Sequence, residues 1–231
     1  MTTETTARVA SFVAEAPVAP AAAVAATALC ENLPELEAAA ARDQRAAVAY
    51  WVACALLHHA GGDGPSVVEN LAVALEPALR VYDSLDGRIE GGWDPVCAAV
   101  LVGSASAAAR HDGLDGEAAL RALGIAVTQA SGLETLSGTL LGTFQRRMAA
   151  RNGLEAARLA GAGMTAPATG LEGRRGLYAL MAPTADPSAA ADRLGRRWLV
   201  TALPTAPGRG PAAGRGERRP GSLQHAAEAL A

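Results

Sequence analysis

The spacing of apolar residues predicts a series of helices separated by proline and glycine. Thr6 to Ala16 is the first, because Phe12 and two valines recur on one helical face. Pro20 and Pro34 each allow a further helix to begin. Arg45 to Ala60 is apolar on nearly all sides, which predicts a helix at the centre of the fold.

The pattern stays helical beyond GGDGP, residues 61–65, which marks a clear break. The helices predicted after it are Val67 to Leu85 with a kink at Pro77, Val96 to Arg110, Gly116 to Ala130, a small-residue helix that carries Met148 and ends at Gly161, Leu177 to Met181, and Ala189 to Trp198. Only Trp198 to Leu203 alternates in the manner of a strand. We therefore predict an all-α fold.

The same pattern divides the chain into four parts. Residues 1–5 are expected to be disordered, and residues 6–200 form the all-helical domain. Residues 201–221 are rich in Pro, Gly and Arg with little to bury, which is typical of a disordered tail. Residues 222–231 are expected to form a short terminal helix with Ser222 as its cap.

Composition narrows the chemistry that the chain can perform. Half of its residues are hydrophobic, mostly Ala, Leu and Val, and only 3% are aromatic, which favours helices packed closely through small side chains. All 20 basic residues are arginines, so a lysine Schiff base or a P-loop lysine is excluded. The three cysteines, Cys30, Cys54 and Cys97, lie in apolar helical segments without CxxC spacing and are interpreted as reduced, buried side chains.

Charge and hydropathy give expectations about location and macromolecular partners. The net charge of −3 favours neither nucleic acid nor an anionic membrane, and the arginines of the tail have no interleaved aromatic residues on which bases could stack. The N-terminal residues MTTETTARVA lack the pattern of a signal peptide, and no window has 18 unbroken apolar residues. We expect a cytoplasmic protein.

Three segments carry a resemblance to a known family. They are ALGIAVTQASG from Ala122 to Gly132, RRMAARNGLEAARLAGAGMTAP from Arg146 to Pro167, and the LEGRRG that follows. In this order they resemble the MmgE/PrpD family, which includes 2-methylcitrate dehydratases and cis-aconitate decarboxylases. The resemblance implies a helical domain, a homodimer formed through it, and chemistry without a cofactor. The second domain of the family, an α+β lid, has no counterpart here, so we expect the helical domain alone.

The family motifs locate the candidate site residues. Asp94 occupies the place of a family His in GGWDP, while Gly142 and Gln145 fall where the family has an active-site Lys and His. His58 and Asp63 match part of a third motif that ends an early helix. The resulting candidates are His58, His59, Asp63 and Asp94 as catalytic groups, and Arg146 and Arg147 as carboxylate-binding groups, with no metal ion.

Each candidate also has a structural interpretation. His58 and His59 can compensate the dipole at a helix C-terminus. Asp94 before Pro95 is a typical N-cap with proline at the first helical position, and Arg146 and Arg147 can lie on a solvated helix face.

Two functions therefore follow from the sequence. One is a cofactor-independent lyase or isomerase that acts on a small carboxylate or a related metabolite with a rebuilt site. The other is a catalytically lapsed homologue that acts as a binding or scaffold partner, including partnership with a full-length paralogue whose lid it would share.

Overall fold

A computed structural model describes residues 5–203, 225 and 228–230 of the chain. The described α-helices are α1 (Thr5–Glu15), α2 (Pro20–Glu31), α3 (Leu33–Ala40), α4 (Gln44–Ala60), α5 (Pro65–Leu85), α6 (Pro95–His111), α7 (Gly116–Val127), α8 (Leu140–Gly161) and α9 (Leu177–Met181). Short 3-10 helices cover Glu134–Leu136, Pro187–Ala191 and Leu199–Ala202. The described residues form no strand, so the prediction of an all-α fold is confirmed.

Helix α6 is the centre of the fold. It packs against α4, α5, α7 and α8, and its residues from Val96 to Ala109 are buried. Helices α4 and α8 pack along α6 in the same direction, since Gln44, Asp94 and Arg146 meet near the starts of the three helices. Gly153 of α8 allows a close approach to α6, because a Cβ atom there would lie 2.6 Å from the carbonyl oxygen of Leu101. The small side chains that dominate the composition thus let the helix backbones approach each other closely.

Polar side chains start the main helices where the pattern predicts. Asp43, Asp94, Asp115 and Thr139 each accept a hydrogen bond from a backbone N–H in the first turn of α4, α6, α7 and α8. At the other end of α4, Gly61 has φ of 63°, a left-handed conformation that glycine adopts without strain. The proposed break at residues 61–65 is therefore confirmed.

One predicted helix ends early in the structure, and another is not formed. Helix α7 stops at Val127 rather than Ala130, since residues 128–130 form a turn toward the next loop. The helix predicted from Ala189 to Trp198 is wrong: a 3-10 helix at Pro187–Ala191 is followed by turns, and Arg193 has φ of 49°. The alternating segment from Trp198 to Leu203 forms a 3-10 turn, not a strand.

These turns are held by a buried ion pair that the hydrophobic pattern did not reveal. Glu76 and Arg80 lie one turn apart on α5, and their side chains are 0% and 4% exposed. Glu76 accepts hydrogen bonds from the N–H groups of Leu199 and Val200, and Arg80 donates to the Arg197 carbonyl at 2.6 Å. Burial raises the pKa of Glu76 and lowers the pKa of Arg80.

The chain ends fall partly outside the description. Residues 1–4 and most of the predicted tail, residues 204–221, lie outside the described residues, whereas packed structure continues to Leu203. In the predicted terminal helix, His225 and residues 228–230 are helical, and Leu230 is buried. Among the described helices none is both long and apolar enough to cross a bilayer alone; α1 and α2 meet that test only as a pair bent by 82°.

Candidate functional site

A buried ion pair between Asp94 and Arg146 lies where α4, α6 and α8 begin. The Arg146 Nε atom donates to Asp94 Oδ2 at 3.1 Å, and the two side chains are 11% and 3% exposed. Because Asp94 stands at the N-terminus of α6, the helix dipole also favours its negative charge. The structure thus joins two of the predicted site residues that are 52 positions apart in the sequence.

Both oxygens of the Asp94 carboxylate accept hydrogen bonds. Oδ1 accepts from the Val96 N–H at 2.8 Å, and Oδ2 accepts from Arg146, from Gln145 Nε2 at 3.4 Å and from the Cys97 thiol at 3.6 Å. A carboxylate offers about four acceptor positions. Three donors therefore share Oδ2, whereas Oδ1 has one. Burial, with a further contribution from the Asp94 charge, raises the pKa of the Cys97 thiol well above its ordinary value.

Arg146 reaches the neighbouring helix and loop with its other end. Its Nη2 atom donates to Gln44 Oε1 at 3.0 Å and to Ser137 Oγ at 3.2 Å. The N-terminus of α4, the loop before α8 and the cap of α6 are thus tied to one guanidinium group. The interpretation of Arg146 as part of a solvated face is wrong, because the residue is 9% exposed.

The loop between α7 and α8 closes over this pair. Its backbone forms a bridge between Trp93 and Leu133, and Gln145 binds both the N–H and the carbonyl of Leu133 at 3.0 Å. The loop carbonyl of Leu136 lies directly against Gly142, where a Cβ atom would overlap it. No side chain larger than hydrogen fits at Gly142 without movement of this loop.

The histidine candidates lie at the opposite end of α4. His58 and His59 occupy its last turn, and His58 is exposed. The 14 positions between Gln44 and His58 correspond to about 21 Å along a helix. The two groups of candidates therefore cannot act on one small molecule together.

His59 has partners of its own at that end. Its Nε2 atom lies 2.8 Å from Asp112 Oδ1, and its ring contacts that of His111 edge to face at 5.7 Å. No hydrogen bond between described residues joins His58, Asp63 and an arginine. The position of His58 and His59 at a helix C-terminus agrees with their structural interpretation.

Arg147 forms no hydrogen bond or ion pair with Asp94 or another described residue. Its guanidinium lies 5.4 Å from the centre of the Phe144 ring, and its Nε atom is buried without a hydrogen-bond partner among the described residues. It is half-buried, and it shares none of the contacts made by Arg146. Of the two arginines that the sequence proposes for carboxylate binding, neither presents a free guanidinium to a cavity at this site.

A separate cavity of about 410 Å³ lies beside the bridge at Trp93. It is formed by the end of α7, the turns at residues 167–176 and α9, and its lining includes Arg174 and Arg175. These two arginines belong to the LEGRRG segment that the sequence comparison singled out, although no candidate was assigned to them. The sequence signal that could have identified them is a pair of neighbouring basic residues in a glycine-rich turn.

Comparison with known proteins decides the ancestry. A family model for the MmgE/PrpD N-terminal domain matches residues 14–190. The chain belongs to the MmgE/PrpD family. No curated protein matches it. The resemblance of the three segments is confirmed, and so is the helical fold that it implied.

Within an MmgE/PrpD framework the ion pair stands at the positions of the family motifs. Asp94 and Gln145, which resemblance aligns with two family histidines, contact each other at 3.4 Å, and Gly142 begins the same helix. These positions therefore converge in space. What they carry is a carboxylate, an amide and a hydrogen atom, and none of these reproduces an imidazole or an ammonium group.

Proposed function

We propose that this MmgE/PrpD-type domain is a catalytically lapsed binding domain rather than a lyase or isomerase. The supporting observation is the state of Asp94. The residue is 2% exposed and its carboxylate is paired with Arg146 and capped by the Val96 N–H, so it has little access to a substrate proton. A general base must come within hydrogen-bond reach of the proton that it removes.

The charges support the same proposal. Dehydration or decarboxylation of a small carboxylate needs cationic groups that face the substrate. At the family position of the lysine, Gly142 offers no group, and Arg146 is already neutralised by Asp94. Loss of one preorganised donor typically costs about 2.7–4 kcal/mol of transition-state stabilisation.

The test is turnover of family substrates by the purified chain. With 2-methylcitrate and with cis-aconitate, followed by NMR, we expect no product above the buffer rate. Asp94→Asn is the informative variant, because asparagine preserves the N-cap acceptor while the carboxylate is removed. Turnover that is present in the natural sequence and lost in Asp94→Asn, His58→Ala or Asp63→Ala would refute the proposal and restore the lyase.

We further propose that the binding partner is a second copy of this chain. Four apolar side chains around the start of α8 are exposed by 46–90%: Leu133, Leu140, Leu141 and Phe144. Leu133 is adjacent to α8 because its backbone binds Gln145 of that helix. A contiguous apolar surface of this kind is typical of an interface.

Light scattering after size exclusion tests the dimer. The double variant Leu140→Glu/Leu141→Glu should be monomeric at concentrations where the natural sequence is dimeric, since two charges cannot be buried in an apolar contact. Val24→Glu is the matched control, because Val24 is 70% exposed on α2 and away from this surface. A natural chain that is monomeric, or a dimer that survives the double change, would contradict this partner.

A further inference from the structure

The cavity beside Trp93 has the construction of a small-ligand site. Its volume of about 410 Å³ lies within the range of roughly 300–1,000 Å³ that is usual for such pockets. Most of the surface that faces it is apolar, with side chains contributed by Trp93, Val127, Leu177, Leu180 and Met181. The apolar body of a ligand would be removed from water here.

Arg174 and Arg175 add positive charge to this apolar cavity. Both are exposed, and no described residue accepts a hydrogen bond from either guanidinium. The nearest acid in the sequence, Glu172, is directed elsewhere, since its Oε2 atom accepts from the Thr6 N–H at 3.1 Å and from the Thr6 hydroxyl. Among the described residues, no carboxylate therefore forms an ion pair with either arginine.

The backbone that carries the arginines is fixed in place. Gly173 N–H donates to the Thr169 carbonyl, and Gly176 N–H donates to the Gly173 carbonyl, each at 2.7 Å. Leu177 N–H closes the turn on Gly170 at 2.9 Å, and Gly170 itself packs against α7. A ligand would meet a preorganised turn, which lowers the entropic cost of binding.

We propose that this cavity binds an amphipathic oxyanion: an apolar molecule that carries one carboxylate or phosphate group, held by Arg174 and Arg175. Guanidinium groups bind both oxyanions through paired N–H donors, and the apolar walls take the remainder of the molecule. The site is distinct from the Asp94–Arg146 pair, although Trp93 and Asp94 are consecutive. It does not depend on whether the family chemistry has lapsed.

Isothermal titration calorimetry with matched eight-carbon ligands tests the proposal. Octanoate and octyl phosphate carry the two headgroups, and 1-octanol is the neutral control. We expect at least one anion to bind with a Kd below about 1 mM, an affinity of about −4.1 kcal/mol. The alcohol should bind at least about tenfold more weakly, since a charge-assisted hydrogen bond contributes roughly 1.5–3 kcal/mol. The stronger of the two anions identifies the headgroup.

The double variant Arg174→Gln/Arg175→Gln should weaken anion binding about tenfold or more and leave octanol unaffected. It is expected to fold, because neither side chain has a partner to lose among the residues that the structure describes. Arg42→Gln is the matched control, since Arg42 is equally exposed but does not line the cavity. Equal binding of octanol and both anions, unchanged affinity in the double variant, or no binding of either anion would overturn the proposal.

Discussion

Substitution of Arg146 by methionine measures what the buried ion pair contributes. Methionine keeps an unbranched side chain of similar length but removes all of the donors. Asp94, which is 2% exposed, would keep its charge without the nearest cation, and Gln44 and Ser137 would each lose a partner. Loss of one member of a buried ion pair typically costs about 3–5 kcal/mol, a large share of the roughly 5–15 kcal/mol that stabilises an ordinary domain.

Urea denaturation followed by circular dichroism gives the free energy of unfolding. Arg147→Met is the matched control, because Arg147 is the next residue on α8 and has no described ion pair. We expect a loss near 3–5 kcal/mol for Arg146→Met and within about 1 kcal/mol for the control.

A double-mutant cycle separates the pair from the rest of the site. Asp94→Asn preserves the cap of α6, so the combination with Arg146→Met should be less destabilised than the sum of the single changes, by about 0.5–3 kcal/mol. An Arg146→Met chain as stable as the natural one would refute the argument. It would indicate that Arg146 serves to bind a ligand and does not stabilise the fold.

Three further predictions follow from buried groups. Burial raises the pKa of Cys30 and of Cys54 to about 12, so their thiols should be inert to iodoacetamide at pH 8 until urea unfolds the chain. The free energy of unfolding should fall as the pH rises above about 8.5, the pKa of a thiol in an unfolded chain. The same dependence on pH in the Cys30→Ala/Cys54→Ala variant would contradict this. Gly142→Lys should lower the free energy of unfolding in a urea titration by about 1–3 kcal/mol, because its Cβ overlaps a loop carbonyl, and it should gain no turnover. The same change at the exposed neighbour, Thr143→Lys, should leave stability unaltered. Equal stability of the two variants would show that the loop moves without cost. Because burial raises the pKa of Glu76, the natural chain should lose stability as the pH rises above about 4.3. This loss should be missing from Glu76→Gln, whose uncharged side chain keeps an oxygen that can accept from the N–H groups of Leu199 and Val200. Urea titrations at pH 4 to 7 measure the difference, and identical pH profiles would contradict the role given to burial.

The helices were predictable because their signals are local. Prolines and acidic caps mark where α2, α4 and α6 begin, and the nearly continuous apolar sequence of α4 indicated its central position. The segment from Ala189 to Trp198 misled the prediction because its shape depends on a distant contact. The buried Glu76 side chain holds the backbone that follows Trp198, and no periodicity in residues 189–198 records that bond.

The candidate site was predictable only in part, for a similar reason. Motif alignment named Asp94, and carboxylate chemistry named Arg146, but their pairing depends on the parallel arrangement of α6 and α8. The same motif reasoning grouped His58 and Asp63 with them, although the length of α4 separates the histidine from the pair. Sequence spacing could not give the direction of helices relative to one another, and direction decided which charges meet.

What distinguishes the arginines of this chain is the source of their counter-charge. Arg146 is buried and paired with Asp94, and Arg80 is buried and paired with Glu76, so each charge is balanced within the fold. A charge removed from water without such a partner would be too costly to retain. Arg174 and Arg175 stay at the surface, where water makes an internal anion unnecessary, and they do so at the edge of an apolar cavity. Their charge is thus available to a ligand, whereas the charge of Arg146, at the position where the family motifs converge, is not.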